Sequence, residues 1–502
     1  MSAPRASFSD GLQLLVGENE SIGQIYKSLR EWGCCPMCSL KYLGEKQQEK
    51  FTFSQKEIHA YFSSLCPAPV PAFVEDTCCT CLGILQKLTT KEFLMEIDKK
   101  VKEGNNVYTD FRIAISLPVA AIVREHAILV LLIENFPLTY KVQKEDDFVA
   151  IKDAWRWVCL DQLSAILKIP CDAKSPFDIT LNFEHEGTKK ECDFLKFMCP
   201  HIFQERKNNR FGWEMFTRMN VRRAVATVKY ASFKHYSQCP PKKLQGPATC
   251  VEIVCSHEPI YICGRYNKYS RELSQTPWII DGVRKTEFSV QERICGALEE
   301  AIQCSDHRFS SAGREDVDVR MLGTGRPFMV EFIKPKIVTF SQAEITKLQN
   351  QINANAKDVR VTDLQMCTKE DSGTWIKSGE MTTCKSYTAL CWMKEVVKQS
   401  DLDKLKEIKD LTLDQKTPIR VLHRRPLAVR EKMIHGISAT RVDDHLFTML
   451  IRTGAGTYIK EFVHGDFART KPSLRTILDS ECDILELDVV EIELDWPPKI
   501  DA

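Results

Sequence analysis

The sequence predicts an α+β protein, because two kinds of local pattern alternate along it. Capping boxes, in which a hydroxyl and a Glu three residues later satisfy free backbone N–H groups, mark helix starts at Ser54/Glu57, Thr89/Glu92, Ser289/Glu292 and Ser341/Glu344. Segments of period two, the repeat of a half-buried strand, occur at 111–115, 179–183, 328–332 and 484–494. With 502 residues, 43% of them hydrophobic, the chain is too long for one ordinary domain and apolar enough to fill two or three cores.

Taken in chain order, residues 1–16 lack the basic-then-apolar order of a signal peptide, and no cleaved segment is expected. The most apolar run, Val119 to Ile133, is interrupted by Arg124, Glu125 and His126. Charges in mid-span are costly in hydrocarbon, so the run reads as a buried helix of a soluble domain, with no membrane partner expected. The basic, Pro-rich stretch Cys239 to Pro247 is expected to be a domain linker, and 369–383 a surface insertion between two strands. Repeats and low-complexity tracts are not evident.

Lys and Arg total 69 against 68 for Asp and Glu, so net charge does not argue for a nucleic-acid partner and any footprint must be local. The 21 cysteines are scattered and odd in number, which fits a reduced intracellular protein. Two pairs differ from the rest. Cys35/Cys38 and Cys78/Cys81 have the two-residue gap at which one tight turn aims both sulfurs at a single metal, and two such pairs make a closed tetrahedral site. A structural zinc is expected there; core cysteines or disulfides are the alternative.

Three segments carry local positive charge. Residues 206–234 interleave Arg206, Lys207, Arg210, Arg218, Arg222, Arg223, Lys229 and Lys234 with Phe211, Trp213 and Phe216, a run that solvated helix faces explain as well as RNA does. Residues 264–285 mix Arg284, Lys285 and other cations with Tyr266, Tyr269 and Trp278, offering phosphate neutralisation and stacking together. Residues 415–430 contain Lys416, Arg420, His423, Arg424, Arg425 and Arg430 with no acid, and two prolines that discourage a helix. An extended basic loop of this kind suits a phosphate backbone.

The segment Gly313-Arg-Glu-Asp-Val-Asp-Val-Arg320, alone, is a charged turn. It resembles the Gly-Arg-Thr-Asp loop of TruA-type pseudouridine synthases, and the longer string GREDVDVR with LGTGRPF is similar to their tRNA-modifying relatives of the Pus-ten family. RYNKYSRELSQTPWIIDG, QKTPIRVLHRRPLAVR and GAGTYIKEFVHGDFARTKP extend the resemblance over 265–472, and the cysteine pairs, CLGILQ and Arg124-Glu-His126 carry it into the first half.

The resemblance implies a catalytic domain over 248–502 with a mixed sheet and a central RNA cleft. It implies a THUMP-containing accessory RNA-binding region over 101–247, after a zinc-binding module over 1–100. The implied activity is isomerisation of uridine in the TΨC arm of tRNA, by a monomer of the nucleus or cytoplasm, without organic cofactor; no nucleotide or phosphate fingerprint is present. Asp316 takes the catalytic position, with Arg314 of the same motif also expected among the catalytic residues, Tyr387 as active-site tyrosine and Lys460 as the cation that keeps the carboxylate ionised. Residues 276–289 and 415–430 are the expected RNA-gripping loops. The competing expectation is a non-catalytic RNA-binding adaptor on the same fold.

Overall fold

The computed structural model describes residues 7–15, 20–72, 76–204, 215–371, 374, 383–423 and 425–500. The chain divides into two compact units, Met1–Ser256 and His257–Ala502. Among the described residues no helix is long and apolar enough to cross a membrane.

The first unit is mainly helical, with a three-stranded sheet in the order β1 (Arg112–Ser116), β2 (Phe177–Glu184), β3 (Thr249–His257), the first two parallel. β3 follows the Pro-rich stretch 239–247 and pairs back into this sheet, so the division between units falls beyond that stretch. Helix Ala120–Asn135 realises the apolar run and is buried nearly all round, as expected when no polar face is offered to water. Its Arg124 is tolerated inside because every nitrogen is used: Nε lies 2.6 Å from Glu191, and Nη1 donates to the Cys79 carbonyl at 2.9 Å.

The box at Ser54/Glu57 is present in full, but the one expected at Thr89/Glu92 is not. Helix Lys91–Glu103 starts one residue later, so Thr90 accepts from the Phe93 N–H, while the Thr89 hydroxyl turns back to the Leu85 carbonyl. Of the basic run at 206–234, Arg206, Lys207, Arg210, Phe211 and Trp213 lie outside the described residues; Arg218, Arg222 and Arg223 are on helix Arg218–Thr227.

In the second unit the strands are β4 (Ile260–Lys268), β5 (Ile279–Ile280), β6 (Val283–Arg284), β7 (Asp306–Ser311), β8 (Val319–Ile333), β9 (Val359–Cys367), β10 (Lys385–Met393), β11 (Leu411–Lys416), β12 (Val429–Arg441), β13 (Leu446–Thr453), β14 (Thr470–Lys471) and β15 (Cys482–Ile492). Apart from the hairpin β5–β6, they form one mixed sheet in the order β14-β11-β12-β13-β10-β15-β8-β4-β9, with β7 also paired to β8. Helices Val290–Ile302, capped by Ser289, and Gln342–Asn355, started by the full box Ser341/Glu344, pack Ile294, Leu298, Ile345 and Ile352 into the core with Phe328, Val330 and Val361.

The period-two reading of 328–332 gives a half-buried strand; in β8 both faces are covered from 325 to 330. The second face is closed by Tyr261, Cys263 and the C-terminal Trp496 against Met329. Within β8, Gly323 and Gly325 take positive φ where neighbouring backbone comes close. A Cβ on Gly323 would lie 1.8 Å from the Val490 carbonyl oxygen, and one on Gly325 2.9 Å from that of Tyr266, which is why the string there reads Gly-Thr-Gly. Of the segment 369–383, residues 372–373 and 375–382 lie outside the described residues.

Candidate active site

The connection from β7 to β8 carries the three acids of the charged motif, and buried groups from β4 and its neighbours fix its backbone. Gly313 takes φ +93°, close against Arg326 and Lys385, with its carbonyl held by the Gln275 amide at 3.0 Å. Lys268, fully buried at the end of β4, donates to the carbonyls of Leu273 (2.7 Å), Val317 (2.8 Å) and Asp316 (3.2 Å). Burial lowers its pKa to about 8, against the pull of Glu315 and the other loop acids.

A loop held this way sends its acids in three directions. Glu315 points inward, accepting from Arg326 Nε at 2.7 Å and from the Tyr266 hydroxyl at 2.8 Å. Asp318 accepts from Lys460 Nζ at 2.5 Å; burial pushes its carboxyl up, but the ammonium more than offsets this and holds it below the usual range. Asp316 faces a cleft of about 1000 Å³, its side chain 37% exposed. Its Oδ2 accepts from Arg420 Nη1 at 2.7 Å and lies 3.8 Å from Lys460 Nζ, while Oδ1 receives no hydrogen bond from the described residues.

The expected cation for Asp316, Lys460, is therefore present but bonded to Asp318, and the nearer cation is Arg420, from the basic loop 415–430. The expectation missed it because that loop suggested only phosphate contacts.

Tyr387 sits at a β-bulge in β10, between Ile451 of β13 and Val489 of β15, and lines the same cleft. Burial pushes its phenol up, with Arg326 opposing, and its hydroxyl makes no hydrogen bond to the described residues. Arg314, Arg425 and Arg430 also line the cleft, Arg430 donating to Thr417 Oγ1 at 3.0 Å. Lys385 and Lys432, which sequence reasoning did not single out, add positive charge.

The remaining expected RNA contacts are not cleft-lining. Lys285, Lys416 and His423 are exposed; Arg284, at the tip strand of the hairpin β5–β6, is paired with Glu292 at 2.5 Å. Arg424 lies outside the described residues.

In the first unit Cys35, Cys38, Cys78 and Cys81 are buried with their sulfurs all within 4.8 Å of one another, so the four could hold a metal ion. Cys35 caps helix Pro36–Tyr42 and its Sγ lies 4.0 Å from that of Cys81, near the edge of about 3.8 Å that four zinc–sulfur bonds of about 2.3 Å imply. Cys34 and Cys79, next in sequence to Cys35 and Cys78 respectively, face each other with their sulfurs 3.9 Å apart.

Residues 261–493 match the family model described as Pus10, C-terminal, and 78–255 the one described as Eukaryotic Pus10, N-terminal. The human protein named tRNA pseudouridine synthase Pus10 is 43% identical over 85% of this chain and 80% of its own length. The Drosophila melanogaster protein named putative tRNA pseudouridine synthase Pus10 is 32% identical over 94% of this chain and 97% of its own length. A Methanocaldococcus jannaschii relative with the human protein's name is 37% identical over 48% of this chain and 54% of its own.

Among solved structures, that of a Cbf5-Nop10-Gar1 complex aligns at TM-score 0.25 and 15% identity over 46% of this chain and 48% of that one. A structure titled pseudouridylate synthase aligns at TM-score 0.19 and 14% identity over 47% and 63%. Scores this low add nothing to the assignment.

The class these sequence matches define is the pseudouridine synthases, isomerases of a nucleoside within RNA. Within it, the chain belongs to the Pus10 family.

Proposed function

We propose that this protein isomerises uridine to pseudouridine in the TΨC arm of tRNA, with Asp316 as its essential carboxylate. The observation that carries the reading is how one loop divides its acids in a chain of this family. Glu315 is taken up inside the core by Arg326 and Tyr266, and Asp318, bonded to Lys460, does not line the cleft, while Asp316 lines it with one oxygen held by Arg420 and the other without a described hydrogen bond.

The reaction breaks the bond from N1 to C1′, turns the base and joins C5 to C1′; C5 gives up a proton and N1 gains one. Nothing is oxidised, so no organic cofactor enters. Asp316 supplies negative charge at C1′, as nucleophile or as stabiliser of a cationic sugar. The base must leave its stack to reach that oxygen. Tyr387, whose phenol burial pushes up, stacks on the extruded base, and its hydroxyl relays the C5 proton.

Arg425 and Arg430 neutralise phosphates at the cleft, and Arg284, Lys285, Lys416, His423 and Arg424 add phosphate contacts from the two basic loops. Arg314 acts beside Asp316 at the reacting nucleotide, and Arg420, expected as an RNA contact, serves the carboxylate, since its guanidinium is engaged by Asp316 and Glu461. In the first half we read 1–100 as a module closed by one structural zinc on Cys35, Cys38, Cys78 and Cys81, and 101–247 as a THUMP-containing region that grips tRNA. With four thiolates the zinc has no open position, so its role is folding rather than catalysis. The protein acts as a monomer, in the nucleus, the cytoplasm or both.

The test is single-turnover pseudouridine formation in a tRNA transcript, with the product mapped to its site. Asp316→Asn keeps the side chain's shape but not its charge, and is expected to form no product while tRNA binding and thermal melting stay near those of the parent. Product from folded Asp316→Asn protein would sink the assignment.

A further inference from the structure

We infer that Glu461 is a positioning residue for the reaction: it fixes Arg420 against Oδ2 of the Asp316 carboxylate, and so sets the orientation in which that carboxylate lines the cleft. The inference rests on the reading of Asp316 as the reacting carboxylate.

Arg420 is the only described group that ties Asp316 to the basic loop, and it makes two bonds from one guanidinium. Nη1 reaches Asp316 Oδ2 and Nε reaches Glu461 Oε1, each at 2.7 Å. A planar fork with both ends engaged has one orientation, whereas a long side chain bonded at one end keeps its rotamer freedom. The backbone beneath Arg420 is a single 3₁₀ turn, Ile419–Val421, seated by the buried Val421, with Ile419 before Arg420 and Leu422 after the turn exposed. It places the Cα of Arg420 but leaves the direction of its long side chain to the partners of the guanidinium.

Glu461 is anchored where Arg420 is not. It lies on helix Ile459–His464, pinned to the core by Ile459, Phe462 and Val463, and its side chain is 3% exposed. Arg420 is its ion-pair partner, and Oε2 is buried with no hydrogen bond among the described residues. A buried carboxylate satisfied at one oxygen only is a poor device for stability. It is a good one for directing a single guanidinium, and the preceding residue, Lys460, stands 3.8 Å from the same Asp316 oxygen. One helical turn therefore supplies both the second cation and the anchor of the first.

The experiment measures single-turnover pseudouridine formation, tRNA affinity and thermal melting for Glu461→Gln, Glu461→Asp, Arg420→Ala, Arg420→Lys and the double variant Arg420→Ala/Glu461→Gln, with the parent and Asp316→Asn alongside. Glu461→Gln keeps the volume and removes the charge. Its rate is expected to fall about 10- to 100-fold, the scale of a small misplacement, with tRNA affinity far less affected. Glu461→Asp should recover part of that loss. Because Glu461 acts through Arg420, the double variant should be no slower than Arg420→Ala alone.

A parental rate in folded Glu461→Gln, or losses that multiply in the double variant, overturns the inference. If Glu461→Gln does not fold, Arg420→Lys decides, since an ammonium keeps the charge but not the fork, and an undiminished rate there overturns it equally. These failures are separate from failure of the underlying reading, which shows as an inactive parent or an active Asp316→Asn and removes both.

Discussion

Arg326 and Glu315 form an ion pair at 2.7 Å with side chains only 3% and 1% exposed, directly beneath the loop that carries Asp316. Tyr266 adds its hydroxyl to the same carboxylate, and Arg326 also holds the Ala312 carbonyl at 2.8 Å. The pair thus fixes the start of the loop from inside the core.

Glu315 is for this reason no mild neighbour of Asp316. Glu315→Ala leaves Arg326 charged and unpartnered in the interior, a change that costs roughly 3–5 kcal/mol. Chemical denaturation is expected to show that loss for Glu315→Ala and a far smaller one for Asp316→Asn, whose side chain is over a third exposed. Equal stability of Glu315→Ala and parent would contradict a structural role for the pair.

Lys268 gives the loop a pH signature. Its folded pKa, about 8, lies below the ordinary 10.5 because of burial, so between those values the unfolded chain binds more protons than the folded one. Its contribution therefore makes stability rise with pH across that window and stay flat below it. Thiols and phenols titrate in the same range, so the quantity to measure is the difference between parent and Lys268→Met from pH 7 to 10.5. That difference should grow in the parent's favour as pH rises; a constant offset would mean that Lys268 remains protonated throughout.

The cysteine cluster predicts about one zinc per chain by metal analysis, lost in Cys35→Ser. Chelation should lower the melting temperature of the parent and leave that of Cys35→Ser where it already lies, because the metal's binding energy is folding energy of the surrounding unit. Zinc retained in full by Cys35→Ser would refute the ligand set.

Arg425 is exposed and lines the cleft with no described partner of its own, so its substitution by Ala should leave the melting temperature nearly unchanged. If it meets a phosphate, the slope of log affinity for tRNA against log salt should become shallower by about 1. An identical slope for parent and variant would exclude that contact.

The sequence by itself determined what depends on neighbours in the chain. The hydroxyl–Glu spacing located the helices at Ser54, Ser289 and Ser341, alternation located the strands, and paired two-residue gaps picked out Cys35, Cys38, Cys78 and Cys81 from 21 cysteines. Even there a one-residue ambiguity, Thr89 against Thr90, fell to packing, since either hydroxyl could cap and the helix register chose. Motif similarity singled out Asp316 among the acids of its loop, but not what surrounds it.

Tertiary structure alone decided that Arg420, 104 residues away, would bond Asp316, that Lys268, 48 residues away, would hold its backbone, and that Glu315 would turn inward. It also decided that β8 would be covered on both faces, by helices on one and Trp496 on the other. The physical reason is the range of the forces. Capping and strand alternation act over a few bonds and leave a local pattern, whereas an ion pair or a buried contact depends on distance through space, which the sequence fixes only by folding.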